Sequence, residues 1–283
     1  MAETTQPFLM HALSPLHAGV GHSVGVIDLP IARMKATGIP VVPGSSIKGV
    51  LRDARRGHGD LIKTFGPENA EHAGALVVGD ARLLALPVRS FKGTFAWVTS
   101  PLLLLLAKQD LKCELEVPRP AETGAIVPHD RCLLDGKIYL QDLDLVASAD
   151  SNEIGKVKLW TEKLRPYVCS VVAEDYFSER FVVVDNETMT FLWETATQVD
   201  MRNRLDSATH TTVKGALWSE ESLPPETLLI GLMDAHDSRG TGLDKVLDCA
   251  LPKGENVLQF GGKATVGRGR CRIQRMGSGA GHV

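Results

Sequence analysis

Several features that mark common protein classes are scarce or missing in this sequence. The five cysteines are scattered and odd in number, and none forms a CxxC pair, so neither a disulfide framework nor a cysteine zinc site is predicted. The longest apolar run, at residues 101–107, is too short to cross a membrane. Walker, dinucleotide-binding, nucleophile-elbow and zinc-deaminase motifs are absent, and the histidines lack metal-ligand spacing. A small-molecule enzyme with a recognisable cofactor is therefore disfavoured.

The N-terminal residues and the charge balance narrow the class further. The first residues, MAETTQPFLM, lack the basic and apolar regions of a signal peptide, and scattered thiols suit a reducing compartment, so we expect a cytoplasmic protein. The formal net charge is −3 over 283 residues. This balance disfavours a protein that coats nucleic acid with its whole surface, but it allows a local basic stripe.

The most informative stretch is residues 14–56. Its proline and glycines predict a long, ordered loop that holds His17 and a single carboxylate, Asp28, in the apolar sequence VIDLP. A lone histidine or aspartate in a loop is most often structural. The following PGSSIKG predicts a helix with Ser45 or Ser46 as its N-cap, ending near Arg56.

This predicted helix is basic. Lys48, Arg52 and Arg55 are spaced i, i+4 and i+7, so they share one face. Residues 28–57 contain six Lys or Arg against two Asp, and the free N–H groups of a helix N-terminus favour an anion. The pattern fits phosphate binding, and it fits a solvated surface face equally well.

Strands and helices alternate along the rest of the chain, which predicts an α+β fold. Ser100 and Pro101 predict a helix start, Pro166 predicts the end of another helix, and a turn at residues 206–209 predicts a long hairpin. The segment at residues 115–136 is expected to be a loop or insertion. Strands are predicted at residues 8–13, 75–88, 94–99 and 138–146 and over most of 181–233, and helices at 101–111, 152–164 and 243–251.

Two further motifs carry chemistry. The sequence GGKATVGRGR lets the backbone approach a ligand closely and offers Arg268 and Arg270 to phosphate, although a bulged strand end would explain the glycines too. Glu220 and Glu221 form an acidic pair before two prolines, a pattern most often found in an exposed turn.

The chain resembles the RAMP superfamily of CRISPR proteins. Four segments carry the resemblance: SPLHAGVGHSVGVIDLPI, TGIPVVPGSSIKGVLRD, KGALWSEESLPPETLLIG and LQFGGKATVGRG. More narrowly, they resemble the repeated backbone subunit of type III-B (Cmr) effector complexes. The resemblance covers both ends of the chain, and residues 115–175 carry little of it. The chain departs from many members of the family at three places, where those members have polar or acidic residues: Ala32, Met34 and the pair Lys263-Ala264. These departures concern the contacts with RNA and with neighbouring subunits that the resemblance implies.

The resemblance implies a single RAMP domain over residues 1–283. Its core would be ferredoxin-like (RRM-like) and built from the N- and C-terminal parts. Residues 115–175 would form an insertion or lid, and residues 181–222 would contain a protruding β-hairpin thumb.

The resemblance also implies a function. Several copies would stack along a CRISPR guide RNA beside other Cmr subunits and cleave target RNA at regular intervals, with no membrane involved. Asp28 occupies the place of the family's catalytic aspartate, His17 that of an accessory histidine, and Glu220 or Glu221 that of a nearby acid. The expected RNA-binding residues are Ser45, Ser46, Lys48, Arg52, Arg55, Gly261, Gly262, Lys263, Arg268 and Arg270.

Elementary chemistry suggests how Asp28 would act. An aspartate with an ordinary pKa near 3.9 is a poor base for a ribose hydroxyl, so we expect Asp28 to hold or orient Mg²⁺ or Mn²⁺ for cleavage. Two alternatives stay open. The chain would be a catalytically silent guide-RNA scaffold, or a stand-alone guide-processing nuclease that uses histidine chemistry without a metal.

Overall fold

The computed structural model describes residues 3–21, 25–69, 71–168, 175–236 and 242–277. Apolar side chains on both faces of the first strand, β1, place it inside the main sheet. Phe8 and Met10 pack into one core, and Leu9, which points the opposite way, packs into a second core on the other face. The helices therefore cover both faces of the sheet.

The elements have the following bounds. The helices are α1 Gly44–Asp53, α2 Leu61–Phe65, α3 Pro101–Leu111, α4 Ser151–Val168, α5 Asp175–Ser178, α6 Asn186–Thr195 and α7 Leu243–Ala250, with 3₁₀ turns at Asp130–Cys132 and Ala264–Val266. The strands are β1 Glu3–Ala12, β2 Val41–Val42, β3 Leu76–Val78, β4 Ala81–Ser90, β5 Thr94–Thr99, β6 Gly124–Ile126, β7 Leu133–Leu134, β8 Lys137–Leu140, β9 Leu143–Ala147, β10 Phe181–Val184, β11 Gln198–Leu205, β12 Thr212–Ser222, β13 Leu228–His236, β14 Asn256–Gln259 and β15 Arg270–Arg275.

The main sheet joins the two ends of the chain. Its order is β14-β15-β1-β13-β4-β5-β10-β6-β9-β8-β7, with β2 on β4 and β3 on β13. β1 lies antiparallel between β13 and β15. A contact between β4 and β8 closes β4, β5, β10, β6, β9 and β8 into a ring. The predicted α+β class is confirmed.

The strands β11 and β12 form a separate two-stranded sheet. Asp206 turns one strand into the other, because its Oδ1 accepts the N–H groups of Ala208 and Thr209 at 2.9 Å. The predicted hairpin with a turn at residues 206–209 is therefore present. The C-terminal end of β12 returns to the body of the protein, where residues 219–222 are buried.

The structure corrects the expected start of the basic helix. The helix α1 begins at Gly44, and neither Ser45 nor Ser46 caps it; both serines are exposed. Asp80, from the connection between β3 and β4, accepts the Gly44 N–H at 2.8 Å instead. The carboxylate of Asp80, a residue distant in sequence, therefore accepts from a free N–H group at the start of α1. We expected the side chain of a neighbouring serine to do this.

Other predicted elements also differ. The strand predicted at residues 75–88 is two strands, β3 and β4, and the loop expected at residues 115–136 contains β6, a 3₁₀ turn and β7. The helix α4 continues through Pro166, because Trp160, Leu164 and Val168 keep its last turns packed on the core. The single strand predicted at residues 138–146 is the hairpin β8–β9, turned at Gln141 with φ 51°. The region after β10, expected to be β, contains the helix α6. Residues 169–174 of the expected insertion lie outside the described residues.

The start of α3 agrees with the sequence. Ser100 Oγ accepts the Leu103 N–H at 3.5 Å, and Pro101 is the first residue of the helix. Across the described ranges, no helix is both long and apolar enough to cross a membrane.

Candidate active site

Asp28 is exposed and is held by Ser219 of β12. Its Oδ2 accepts the Ser219 backbone N–H at 2.7 Å and the Ser219 hydroxyl at 2.8 Å, while the Asp28 N–H donates to Ser219 Oγ at 2.9 Å. This reciprocal set of bonds fixes the carboxylate at one position of an otherwise irregular segment. Because the two residues are 191 positions apart in sequence, no local pattern predicts the contact.

The residues around Asp28 lie along β12 like a short extra strand. Leu29 donates its N–H to the Ser219 carbonyl at 3.1 Å and accepts the Glu221 N–H at 3.0 Å. The backbone on both sides of Asp28 is thus tied to the same strand that binds its carboxylate. An exposed carboxylate on a fixed backbone can bind a ligand with little loss of conformational freedom.

Glu221 anchors the Asp28 segment from inside the protein. It is 2% exposed, and its carboxylate accepts the Ile31 N–H at 3.1 Å and an Arg33 N–H at 2.6 Å. Arg33 also donates to the Trp193 carbonyl at 3.0 Å, which connects the segment to α6. Glu221 is connected to Asp28 through the backbone of the Asp28 segment. Glu221 is buried, however, whereas Asp28 is exposed.

Glu220 faces the other way and joins the hairpin to the glycine-rich loop. It is fully buried, is paired with Lys263, and lies 3.3 Å from an Arg268 nitrogen. Arg268 in turn donates to Ser222 Oγ at 2.8 Å and to Asp200 at 2.5 Å. The hydrogen bond from Arg268 lowers the pKa of Asp200. The acidic pair expected in an exposed turn is therefore a buried pair within β12.

His17 lies between these two parts of the site. It is 8% exposed, and its Nδ1 lies 2.6 Å from the Glu221 carbonyl oxygen. Because a carbonyl oxygen only accepts, Nδ1 is the donor of this hydrogen bond. Nε2 faces Gly19, where a Cβ atom would lie 2.4 Å from it. His17 therefore packs the loop against β12.

The glycine-rich loop closes over the loop that contains His17. Gly261 has φ +70°, and a Cβ atom there would lie 2.2 Å from the His17 carbonyl oxygen. At Gly269 a Cβ atom would lie 1.9 Å from the Phe260 oxygen, and its N–H donates to the Pro15 carbonyl at 2.8 Å. The structure therefore connects Asp28, His17, the acidic pair and this loop through the base of β12.

The helix α1 ends at Asp53, before the predicted end near Arg56, so Arg55 lies just beyond it. Lys48 and Arg52 of α1, and Arg55 after it, all make internal contacts. Lys48 donates to the Leu76 carbonyl at 2.7 Å, Arg52 to the Gly66 carbonyl at 2.7 Å, and Arg55 to Asn256 at 3.3 Å. Burial, with a smaller effect from nearby Arg52, lowers the pKa of Lys48. These side chains therefore hold the helix region against neighbouring segments. The RNA binding expected from their charge would come in addition to this structural role.

The remaining predicted residues differ in accessibility. Gly262 and Arg270 are exposed, Lys263 is partly exposed, and Arg268 is 8% exposed. Arg270 is fixed through its backbone, since its N–H donates to Ser14 Oγ at 2.9 Å and its carbonyl accepts the Leu13 N–H at 2.8 Å. Of these two arginines, Arg270 is the exposed one.

The residues near Asp28 do not form a complete metal site by themselves. Within the described ranges no group of three or more His, Cys, Asp or Glu side chains could hold an ion. Glu220 and Glu221 are already neutralised by Lys263, Arg268 and Arg33. The donor set available is one exposed carboxylate, which fits a Mg²⁺ ion only when RNA and water supply most of the ligands.

Sequence reasoning missed three residues of the site. Ser219 positions Asp28, Arg33 neutralises Glu221, and Asp200 holds Arg268. Ser219 directly precedes the acidic pair, but its role depends on tertiary pairing. Arg33 was predicted as part of the general basic stretch rather than as a partner of an acid.

The sequence of this chain matches a known protein family. The model of the RAMP superfamily matches residues 9–272, so the chain belongs to the RAMP superfamily. It is 33% identical, over 93% of its own length and 93% of the relative's, to the protein named CRISPR system Cmr endoribonuclease Cmr4 of Pyrococcus furiosus. Within the superfamily, the chain is a member of the Cmr4 family.

Solved structures agree with this assignment. The crystal structure of oligomeric Cmr4 from Pyrococcus furiosus matches with a TM-score of 0.76 at 26% identity, covering 96% of this chain and 99% of that one. A chain of the type III-B Cmr-beta complex bound to cognate target RNA matches with a TM-score of 0.75 at 22% identity, covering 96% and 97%. At that identity the second likeness concerns the fold.

Proposed function

We propose that this chain is the backbone endoribonuclease of a type III-B CRISPR effector complex and cleaves target RNA at Asp28. The observation that carries the proposal is the exposed Asp28 carboxylate, which Ser219 fixes in position. The relative named as a Cmr endoribonuclease supports the same activity. The partners would be guide RNA, target RNA, further copies of the chain and other Cmr subunits in the cytoplasm.

The finer architecture belongs to the same proposal. Strands β15, β1, β13 and β4 are adjacent and antiparallel in that order, and α1 and α7 lie in the connections. This order supports a ferredoxin-like core built from both ends of the chain. The separate β11–β12 sheet would be the thumb, and residues 115–175 an insertion in a single RAMP domain.

The reaction we propose is attack of a ribose 2′-OH on the adjacent phosphorus. The 2′-OH gives its proton to water and its oxygen bonds to phosphorus, while the bond from phosphorus to the 5′ oxygen breaks and that oxygen takes up a proton from water. The products carry a 2′,3′-cyclic phosphate and a 5′-OH. An A-form helix holds this hydroxyl out of line, so the RNA must be distorted before it reacts. The β11–β12 hairpin would distort it, and the contact between Asp28 and Ser219 at the base of this hairpin supports that role.

The Asp28 carboxylate would be the ligand that the protein supplies to the metal ion. A bound Mg²⁺ or Mn²⁺ would supply positive charge for the phosphate in the transition state. Ser219 keeps the Asp28 carboxylate oriented, and Glu221 keeps the surrounding backbone on β12. His17 orients the loop through its bond to the Glu221 carbonyl.

The basic residues would bind the guide rather than the scissile phosphate. The first group lies on α1 or just after its end, separated in sequence from the Asp28 loop: Ser45, Ser46, Lys48, Arg52 and Arg55. Gly261, Gly262, Lys263, Arg268 and Arg270 form the loop that closes over His17. Replacing exposed members should weaken RNA binding with little sequence preference and reduce its salt dependence.

A silent scaffold is the second candidate, and one observation favours it. Glu220, Glu221 and His17 all have internal partners, so only Asp28 remains as an exposed acid of the predicted set. The guide-processing alternative relies on histidine acid–base chemistry, and His17 is 8% exposed. Its chemistry would also survive removal of divalent ions.

The test uses the assembled complex with labelled target RNA. Evenly spaced products with added Mg²⁺, which disappear with EDTA and return with Mn²⁺, would support the proposal. Binding without products would favour the scaffold. Products that persist in EDTA would contradict the metal part of the proposal.

A further inference from the structure

The turn between β4 and β5 presents an aromatic side chain to solvent. Phe91 is 79% exposed, and its ring packs edge-on against Tyr139 with the ring centroids 6.2 Å apart. Hydrogen bonds fix the turn, since the Phe91 N–H donates to the Tyr139 carbonyl at 3.1 Å and the Ser90 hydroxyl donates to the Lys92 carbonyl at 2.8 Å. A phenyl ring held in one position loses little conformational freedom when a partner covers it.

Two cations flank Phe91, and we call residues 89–92 the aromatic turn. Arg89 and Lys92 are both exposed. Among the residues that the structure describes, neither cation has a side-chain hydrogen bond or salt bridge. Asp142, in the adjoining turn between β8 and β9, offsets one of the two charges. The aromatic turn is therefore a rigid, positively charged protrusion with an apolar centre, a combination typical of the anchor of a protein interface.

A groove of about 560 Å³ lies beside the first half of α4, a volume within the range of binding pockets. Leu159 is 50% exposed and gives the groove an apolar wall. A Cβ atom at Gly155 would have no atom within 4 Å, so the groove is open at that position. The side chains that border it include Glu114, Leu115, Glu116 and Lys156. We call it the acidic groove.

The acidic groove carries more carboxylates than cations. Lys156 pairs with Glu153 at 2.6 Å and with Glu116 at 3.2 Å. Glu114 is exposed and, within the described ranges, makes no side-chain hydrogen bond or salt bridge. Three carboxylates around one ammonium group leave a net negative charge. The groove therefore complements the aromatic turn both in its apolar wall and in the sign of its charge.

The two surfaces lie at opposite ends of the ring of strands. Ser90, beside the aromatic turn, pairs with Leu140 of β8, and Leu140 pairs with Leu143 at the start of β9. The strand β9 then extends roughly 15 Å away to Ala147, and α4 begins beyond it at Ser151. One copy of the chain therefore cannot fill its own groove. A contact between unlike surfaces of two copies leaves one of each surface free, so it can be repeated.

We propose that the aromatic turn of one copy docks into the acidic groove of the next copy. Phe91 would lie against Leu159 at the opening left by Gly155, with Arg89 and Lys92 facing the carboxylates of Glu114 and Glu116. This inference rests on the proposed function, in which several copies stack, and it names the surfaces that meet. The contact needs no RNA, because both surfaces belong to the protein.

Phe91→Ala tests the aromatic turn by sedimentation velocity on the RNA-free, full-length chain. Wild type should show concentration-dependent association. The variant should associate at least about 30-fold more weakly, the size expected for a central aromatic anchor. Phe191→Ala is the matched control, because Phe191 is 47% exposed on α6 and lies outside both surfaces. The control should change association less than about two-fold.

Gly155→Met tests the groove without removing any contact. Glycine is unfavourable inside a helix, so the variant should fold at least as stably as wild type while its new side chain fills the groove. Its association should fall to the level of Phe91→Ala. Gly49→Met is the control, since Gly49 lies in α1 and also has no atom within 4 Å of a Cβ position. It should associate like wild type.

An equimolar mixture of the two variants gives the decisive result. Phe91→Ala keeps an intact groove and Gly155→Met keeps an intact turn, so the mixture should form dimers and nothing larger. A mixture that stays monomeric would overturn the contact, as would wild-type association by either variant or a monomeric wild type at every concentration. These outcomes leave Asp28-dependent cleavage standing. Absence of cleavage by an assembled wild-type complex would instead overturn the proposed function and leave the contact standing.

Discussion

Ser219 binds the Asp28 carboxylate through its backbone N–H and its hydroxyl, at 2.7 and 2.8 Å. Two donors to the same oxygen fix both the position and the plane of an exposed carboxylate. The strand that supplies them, β12, also carries Glu221, which holds the next part of the Asp28 segment through Ile31. The geometry at Asp28 thus depends on the base of the hairpin, although the two segments are far apart in sequence.

Removing the Ser219 hydroxyl should slow cleavage without weakening RNA binding. Ser219→Ala keeps the backbone N–H but loses one donor, so we expect about a ten-fold lower single-turnover rate, the size of a lost hydrogen bond to a charged group. Ser219→Thr keeps the hydroxyl and should recover most of the rate. An unchanged rate in Ser219→Ala, measured with the assembled complex, would mean that the hydroxyl does not position Asp28.

Glu221 should matter for folding as well as for the site. Glu221→Gln weakens a buried pair with Arg33 at 2.6 Å, and we expect a loss of about 2 kcal/mol in the free energy of unfolding. Asp144→Asn is the matched control, because Asp144 and its partner Lys137 are 60% and 40% exposed and such pairs contribute little. Urea denaturation measures both. Equal effects of the two variants would contradict a buried anchoring role for Glu221.

Two neighbouring glycines should differ sharply. Gly261→Ala puts a Cβ atom against the His17 carbonyl and forces φ +70° on a residue that disfavours it, so we expect at least about 1–3 kcal/mol of destabilisation. Gly262→Ala meets nothing within 4 Å and should stay within about 0.5 kcal/mol of wild type. Thermal unfolding compares them. Similar unfolding temperatures would show that the two loops do not pack as described.

The Asp200–Arg268 pair should make stability depend on pH on the acid side. The Arg268 hydrogen bond holds the pKa of Asp200 below its ordinary 3.8 in the folded chain. A carboxyl of this kind stabilises the fold above its unfolded pKa, and the contribution is lost as pH falls through the folded pKa. Asp200→Asn should therefore reduce stability at neutral pH and flatten its fall below about pH 4. An unchanged pH profile would contradict the pairing.

The parts of the fold that local chemistry specifies were predictable from the sequence. Ser100-Pro101 marks a helix start, and the strand and hairpin patterns around residues 94–99 and 206–209 are present. The helix α6 also had a readable signal, since Asp185 caps it by accepting the Thr188 N–H at 2.9 Å. It was missed because short apolar runs on both sides resemble strands.

Other features depend on contacts that no local pattern carries. Asp80 caps α1 from 36 positions away, and the core packing of α4 outweighs the helix-breaking tendency of Pro166. The candidate site residues Asp28, His17, Glu220 and Glu221 were found through family resemblance. Their burial and partners were not, because they follow from how β12 pairs with the first loop.

The most direct test of the account is Asp28→Asn in the assembled complex, assayed for target cleavage and for RNA affinity on the same preparation. The substitution keeps the size of the side chain and an oxygen that can accept from Ser219, but removes the charge that would hold a metal ion. We predict loss of the evenly spaced cleavage products with target RNA affinity within about two-fold of wild type. Cleavage at the wild-type rate by Asp28→Asn would contradict the account.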